Sequence, residues 1–165
     1  MEEFQNKPSR PSLLTTVCIL TFVYTGLSFL FSIIKFFSGP FSDEEMLEQR
    51  VRLTKSITQL KELDMDYFVQ VLQQTISMGE EINANFYGAL VISIIVLLVG
   101  FFGAFMMWNG KKIGFHLYII YSLIAVAQLY LFVSPGNIST LTVVPELLLG
   151  GAFVFMYSRN LSWLK

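Results

Sequence analysis

Residues Phe86–Trp108 read FYGALVISIIVLLVGFFGAFMMW, a run of 23 residues without a single charged side chain. A hydrocarbon core about 30 Å thick needs about 20 helical residues to cross it, so this run is long enough to span a bilayer. A helix of a soluble bundle would carry charged residues along one face, and this run carries none. The stretch therefore predicts a transmembrane helix.

Three further apolar runs of similar length surround this one. The predicted transmembrane helices are 13–37, 86–108, 113–133 and 138–157. The side chains inside them that carry a charge, or can gain one near neutral pH, are Lys35, His116 and Glu146. Composition agrees, because 54% of the chain is hydrophobic, only 14% is charged and the mean hydropathy is +0.60. We expect an all-α membrane protein with four transmembrane helices.

Basic residues in the short segments predict the orientation of these helices. Lys7 and Arg10 precede the first helix, Lys111 and Lys112 lie between the second and third, and Arg159 and Lys165 follow the fourth. Cytoplasmic loops carry an excess of lysine and arginine, so we expect both termini to be cytoplasmic in the cell (inner) membrane. The predicted cytoplasmic segments are 1–12, 109–112 and 158–165, and the extracytoplasmic ones are 38–85 and 134–137.

The long loop 38–85 is the one segment with the pattern of a soluble helix. Ser42 with Glu45 three residues later resembles a capping box, in which each side chain caps the backbone of the other. Two apolar stripes then recur at helical spacing: Leu53, Ile57, Leu60 and Leu63, followed by Phe68, Val69, Leu72 and Ile76. We predict an extracytoplasmic helical hairpin of two amphipathic helices, Asp43–Leu63 and Tyr67–Met78. Gly79 is a potential kink, after which Glu80–Asn85 can continue helically into the second transmembrane helix.

The apolar stripes of this hairpin have three potential partners: each other, the lipid surface or another protein. The loop carries four basic and nine acidic residues, a formal charge of −5. Helices that lie on lipid are usually rich in lysine and arginine, so the acidic loop favours helix–helix packing over the lipid surface. Packing within the hairpin and docking of a protein partner both remain open.

Glu146 is the intramembrane residue that matters most, because an acid near the centre of a membrane helix costs about 3 kcal/mol. If the fourth helix begins near Ile138, Glu146 lies about two turns inside; if it begins at Pro145, Glu146 lies in the first turn. When residues are counted from the outer end of each predicted helix, five polar residues fall in the outer third of the bilayer and form one predicted cluster: Ser32, Lys35, Ser93, Gln128 and Glu146. A Lys35–Glu146 pair with Gln128 on the carboxylate would either hold the helices together or line a ligand or proton site.

Cofactor and nucleic-acid functions find little support in the chain. With one cysteine, Cys18, and one histidine, His116, a His/Cys zinc site, a bis-histidine haem site and an internal disulfide are excluded. The net charge of −1 implies no nucleic-acid partner. No phosphate-binding glycine loop, nucleophile elbow or catalytic acid pair is present, so we expect neither a cofactor nor an enzymatic activity.

Trp108–Tyr118, which reads WNGKKIGFHLY, resembles a junction found in small uncharacterised four-span bacterial inner-membrane proteins. That resemblance implies a four-helix membrane fold and no particular activity. Claudin-like proteins share the long first outer loop, but here the loop lacks their cysteines and tryptophan. We expect an accessory or scaffold subunit that binds a protein partner; a small homo-oligomeric transporter or channel that uses Glu146 for proton or cation coupling is the alternative.

Overall fold

The computed structural model describes residues 9–165 and is all-helical over that range. Lys7, used above for orientation, lies outside the described residues. In chain order the elements are α1 (Ser12–Ser38), α2 (Asp43–Glu62), α3 (Asp66–Ala84), α4 (Phe86–Trp108), α5 (Ile113–Ala127), α6 (Leu129–Phe132), a 3-10 turn (Pro135–Asn137) and α7 (Thr140–Ser158). Four helical segments are long and apolar enough to cross a membrane: α1, α4, α5 continued by α6, and α7. The predicted fold class is confirmed at this level.

The four long segments form a bundle in which α4 is central. It packs extensively against α5 and α1, α5 packs against α7, and α1 touches α7 only sparsely. Two glycines allow α4 and α5 to approach closely: a Cβ on Gly100 would lie 2.8 Å from the Tyr121 ring, and one on Gly103 would lie 3.1 Å from the Gly114 carbonyl oxygen. The bundle is therefore tightly joined along α1, α4 and α5 and loosely closed between α1 and α7.

The best-packed core lies toward the end of the bundle where α1 begins and α7 ends, which we call the terminal end. Leu14, Cys18, Met107 and Tyr157 are fully buried there. The Tyr157 hydroxyl forms a hydrogen bond of 2.9 Å with Thr21 and joins α7 to α1. The position of Tyr157 near a span end is typical of an interfacial anchor, but in the structure it is a core residue because Thr21 satisfies its hydroxyl.

The last residues fold back onto the α4–α5 loop. The Lys112 backbone N–H donates to the Lys165 carbonyl oxygen, and the Lys165 N–H donates to the Gly110 carbonyl oxygen, both at 2.8 Å. Leu164 is buried beneath this pair. Segment 158–165, predicted as a simple tail, is therefore part of the packed terminal end.

Helices α2 and α3 pack against each other at the opposite end of the bundle, which we call the α2–α3 end. The predicted capping box is confirmed, since the Ser42 backbone N–H donates to the Glu45 carboxylate at 2.8 Å and Ser42 Oγ accepts from the Glu45 N–H. These bonds lower the pKa of Glu45 below its usual range. Helix α3 runs through Gly79 to Ala84, so it extends past the predicted end at Met78 and includes most of the segment expected to continue helically.

The packed stripe between α2 and α3 is shorter than the sequence pattern. Ile57 and Val69 are buried at its centre, and the exposed Arg50 of α2 forms an ion pair with Glu80 of α3. Leu63 and Phe68, predicted as members of the two stripes, are instead exposed at the connection between the helices. The chain reverses direction there, at Asp64 with a φ of 53°, and their side chains have no opposite helix to meet.

Helix α3 is fixed to the loop that connects α6 and α7. The Glu81 carboxylate accepts hydrogen bonds from the Ser134 backbone N–H at 2.5 Å and from the Asn137 side chain at 2.6 Å. About two turns before Glu81 on the same helix, the Gln74 side chain donates to the Gly136 carbonyl oxygen at 3.0 Å. The two N–H donors lower the pKa of Glu81. As a result, α3 lies against the loop at the α2–α3 end of the bundle.

Candidate functional site: a cavity around Glu146

The start of α7 decides the depth of Glu146. Ser139 caps the helix, its Oγ accepting from the Leu141 N–H at 3.2 Å, and Thr140 is the first helical residue. Pro145 lies inside the helix, so the alternative in which the helix begins at Pro145 is wrong. At about 1.5 Å per residue, Glu146 lies about 9 Å along the helix from Thr140. Its carboxylate is half-buried at that depth.

The five polar residues singled out from the sequence line one cavity of about 400 Å³. Ser32 and Lys35 come from α1, Ser93 from α4, Gln128 from the α5–α6 junction and Glu146 from α7. Each is located in the half of its helix that is nearer the α2–α3 end. The structure thus brings all five together from four different transmembrane segments.

The hydrogen bonds within this cluster differ from the arrangement expected from the sequence. Gln128 Oε1 accepts from Ser93 Oγ at 3.3 Å, and Ser32 Oγ donates to the Ser28 carbonyl oxygen at 2.9 Å. The expected Lys35–Glu146 pair is not formed: over residues 9–165 the ion pairs are Arg50–Glu80 and Arg52–Glu48. Two opposite charges therefore line one cavity, and neither contacts a charged or hydrogen-bonding partner among the described residues.

A second cavity of about 460 Å³ continues the first toward the terminal end. The two share four wall residues, Tyr24, Tyr121, Ala125 and Glu146. The remaining wall of the second cavity is almost entirely apolar and includes Leu27, Leu149 and Phe153. It exists because α1 and α7 come together mainly at Thr21 and Tyr157 and leave a gap between their other halves. Glu146 stands at the boundary between the polar and the apolar cavity.

Sequence reasoning missed Tyr24 and Tyr121, which line both cavities. A signal was present on α1, where Tyr24, Ser28, Ser32 and Lys35 follow one another at spacings of a helical face. Their recurrence marks one polar stripe on an otherwise apolar helix. Tyr121 gives no such signal, because Tyr118 one turn earlier has the same residue type and both belong to the buried core.

His116 lies away from this site. It is exposed, and its Nδ1 is 3.4 Å from the Lys112 carbonyl oxygen. Across residues 9–165, no three His, Cys, Asp or Glu side chains are grouped closely enough to hold a metal ion. The chemistry that the cavity offers is therefore charge recognition and hydrogen bonding.

Comparison of the chain with protein-family models, with curated protein sequences and with solved structures found no match. The resemblance of Trp108–Tyr118 to small bacterial four-span proteins stays a prediction.

Proposed function

We propose that this chain is a non-enzymatic, multi-pass accessory or scaffold subunit that binds a larger membrane complex. In this proposal it lies in the cell (inner) membrane with both termini cytoplasmic and with the α2–α3 pair outside. The basic residues Arg10, Lys111, Lys112 and Arg159 at the terminal end support that orientation, because positive loops stay in the cytoplasm.

The observation that carries the proposal is the exposed apolar connection between α2 and α3, which we call the tip. Leu63 is 67% exposed and Tyr67 is 51% exposed, and Met65 and Phe68 lie beside them. No transmembrane segment covers these side chains among the described residues. Exposed apolar clusters outside the membrane are typical of protein interaction sites.

Helix α7 offers a second surface for a partner. It is the least buried of the four long segments, and Leu148 and Phe155, which lie on one face of it, are 68% and 63% exposed. Lipid covers such a face in a monomer, and a transmembrane helix of a partner covers it in a complex. The tip and this face would allow contacts both outside and inside the bilayer.

Site-directed photo-crosslinking in cells tests the tip. A photoreactive residue at Tyr67 should give a defined adduct heavier than a dimer of this chain, and the same residue at Thr58, exposed on α2, should give none. Leu63→Ser with Phe68→Ser should remove the adduct without lowering protein levels, because both side chains are exposed. A chain that remains monomeric, or that crosslinks only to itself, would overturn the proposal.

The cavity around Glu146 favours one second candidate, a small transporter that couples to a proton or a cation. Against it, the terminal end of the bundle is closely packed, since Leu14, Met107 and Tyr157 are fully buried there. Transport would therefore need a path between copies or a change of conformation. Proton or cation flux in liposomes that is lost in a well-folded Glu146→Gln variant would favour transport over scaffolding.

A further inference from the structure

The two cavities around Glu146 form one site with a defined order of chemical character. Lys35 lies three residues before the end of α1, about 4.5 Å from the α2–α3 end of that helix, and is exposed at the mouth. Glu146 lies about 9 Å along α7. Phe153, in the wall of the apolar cavity, is seven residues and about 10 Å further. Measured along the helix axes from the mouth inward, the order of backbone positions is Lys35, Glu146, Phe153.

Neither charge of this site is satisfied by the protein. Within residues 9–165, Lys35 and Glu146 form no ion pair and no hydrogen bond, with each other or with neighbours. An unpaired carboxylate at membrane depth is costly, and intramembrane acids usually face a partner or a pathway. Charge complementarity therefore calls for a ligand with a cationic group at Glu146 and an acidic group at Lys35.

The walls next to Glu146 suit an organic cation. Tyr24 and Tyr121 line both cavities together with Glu146, and the faces of aromatic rings attract ammonium groups. Ser93 and Gln128 add hydrogen-bonding groups on the opposite wall. Beyond the carboxylate, Leu20, Leu27 and Leu149 provide an apolar surface for a hydrocarbon chain. Each cavity lies within the range of about 300–1,000 Å³ that is usual for ligand sites.

We infer that the joined cavities bind a zwitterionic amphiphile in which the cationic group follows directly after the hydrocarbon chain and the acidic group comes last. The chain enters between α1 and α7, where the bundle is loosely closed and the wall residues Val23, Leu27 and Leu149 are exposed. The opposite order, in which phosphate precedes the ammonium as in phosphocholines, would place like charges together at both Glu146 and Lys35. The inference is independent of the proposed docking function.

Matched twelve-carbon amphiphiles test the order of charges directly. Separate samples of the purified full chain in dodecyl maltoside, a neutral twelve-carbon detergent, each receive one probe at the same concentration. The probes are a dodecyl sulfobetaine (chain, cation, acid), dodecylphosphocholine (chain, acid, cation) and dodecyltrimethylammonium (cation alone). Native mass spectrometry measures how much of each stays bound. The sulfobetaine should bind about tenfold more tightly than the phosphocholine, the change expected for one desolvated charge contact.

Two variants assign the charges. Glu146→Gln should lower binding of the sulfobetaine and of trimethylammonium by about tenfold. Lys35→Met should lower binding of the sulfobetaine but not of trimethylammonium, because it removes the partner of the acid and a repulsion toward the cation. Glu44→Gln and Lys55→Met, exposed on α2, are the matched controls and should change nothing.

Equal binding of sulfobetaine and phosphocholine by the unaltered chain would overturn the inference, even if a variant failed to fold. A preference that survives both Glu146→Gln and Lys35→Met would overturn it as well, since the selectivity would then come from elsewhere. If the photoreactive residue at Tyr67 gives no adduct with another protein while the probes bind as expected, the docking proposal alone is contradicted, so the two proposals fail separately.

Discussion

At the scale of single residues, the structure separates polar groups that hold the protein together from polar groups that remain unused. Thr21 and Tyr157 satisfy each other inside the core, and Glu81 accepts two hydrogen bonds from the α6–α7 loop. Lys35 and Glu146 form no hydrogen bond or ion pair with another side chain in the part of the chain that the structure describes. Glu146 lies in the wall of both cavities, which favours a role in binding more than in packing.

A double-mutant cycle tests whether Lys35 and Glu146 interact in the free protein. Glu146→Gln, Lys35→Met and the double variant are compared by thermal unfolding in dodecyl maltoside. Since the structure forms no pair, the coupling free energy should stay below about 0.5 kcal/mol, as for independent sites. Glu146→Gln alone should leave the free energy of unfolding unchanged or raise it, because it removes a poorly solvated charge. A coupling above about 2 kcal/mol would mean that the two side chains pair after all.

Glu81 should make the contact between α3 and the α6–α7 loop dependent on pH. Its pKa in the folded protein is lowered by the Ser134 and Asn137 donors, below an unfolded value of about 4.3. Between those pKa values the unfolded chain binds more protons, so this contribution to stability is present above about pH 4.3 and is lost as pH falls through the folded pKa. Melting temperatures from pH 7 to pH 3 should therefore fall less steeply in Glu81→Gln than in the wild type. Glu62→Gln, exposed on α2, is the control, and identical slopes for all three proteins would contradict the assignment.

At the scale of elements, α2 and α3 show how a water-exposed helix pair is held by few contacts. The packed stripe between them, called the seam below, has Ile57 and Val69 as its buried members. The Arg50–Glu80 ion pair joins the two helices at the end of the seam that is farther from the tip. Such exposed ion pairs contribute about 1 kcal/mol or less, so the seam must supply most of the cohesion. The tip beyond the seam contributes little to folding because its side chains are exposed, which leaves them available for contacts with another molecule.

The seam predicts unequal tolerance of acidic substitutions on α2. Ile57→Asp would place a carboxyl group between the helices without a partner and should cost more than about 2 kcal/mol. Thr58→Asp, one residue further and exposed, should cost less than about 0.5 kcal/mol. Helical content and limited proteolysis of loop 38–85 would measure the difference. If both variants resist protease equally, the two helices are not held together by this seam.

At the scale of the whole molecule, the sequence predicted the long helices well and their details less well. In lipid, an apolar run such as Phe86–Trp108 satisfies its backbone hydrogen bonds by forming a helix. The fold class and the approximate bounds of the long helices therefore followed from length and hydropathy. The start of α7 depended on whether Ser139 or Pro145 ends the loop, and hydropathy does not decide between them. The apolar cavity depends on sparse packing of α1 against α7, a tertiary property that periodicity within one helix does not contain.

The same limit applies to the candidate site. Counting residues from the outer end of each span brought Ser32, Ser93 and Gln128 to one depth, because helices of fixed rise crossing one bilayer share a scale of depth. Depth alone does not fix the rotation of a helix about its axis. For that reason the specific bond expected between Gln128 and Glu146 differs from the structure, in which Gln128 accepts from Ser93.

The orientation of the molecule in the membrane is the last prediction, and labelling with a membrane-impermeant thiol reagent tests it. In a Cys18→Ala background, a cysteine at Gln59 on α2 should react in intact cells, because we expect the α2–α3 pair outside. Cysteines at Ser9 and Ser162, both exposed at the terminal end, should react only after permeabilisation. Cys18 itself is fully buried, and its replacement by alanine should cost about 1 kcal/mol while removing any background labelling. If the Gln59→Cys variant is labelled only from the cytoplasmic side, the predicted orientation is reversed. The tip would then face a cytoplasmic partner, whereas the order of charges along the cavity around Glu146 would be unchanged.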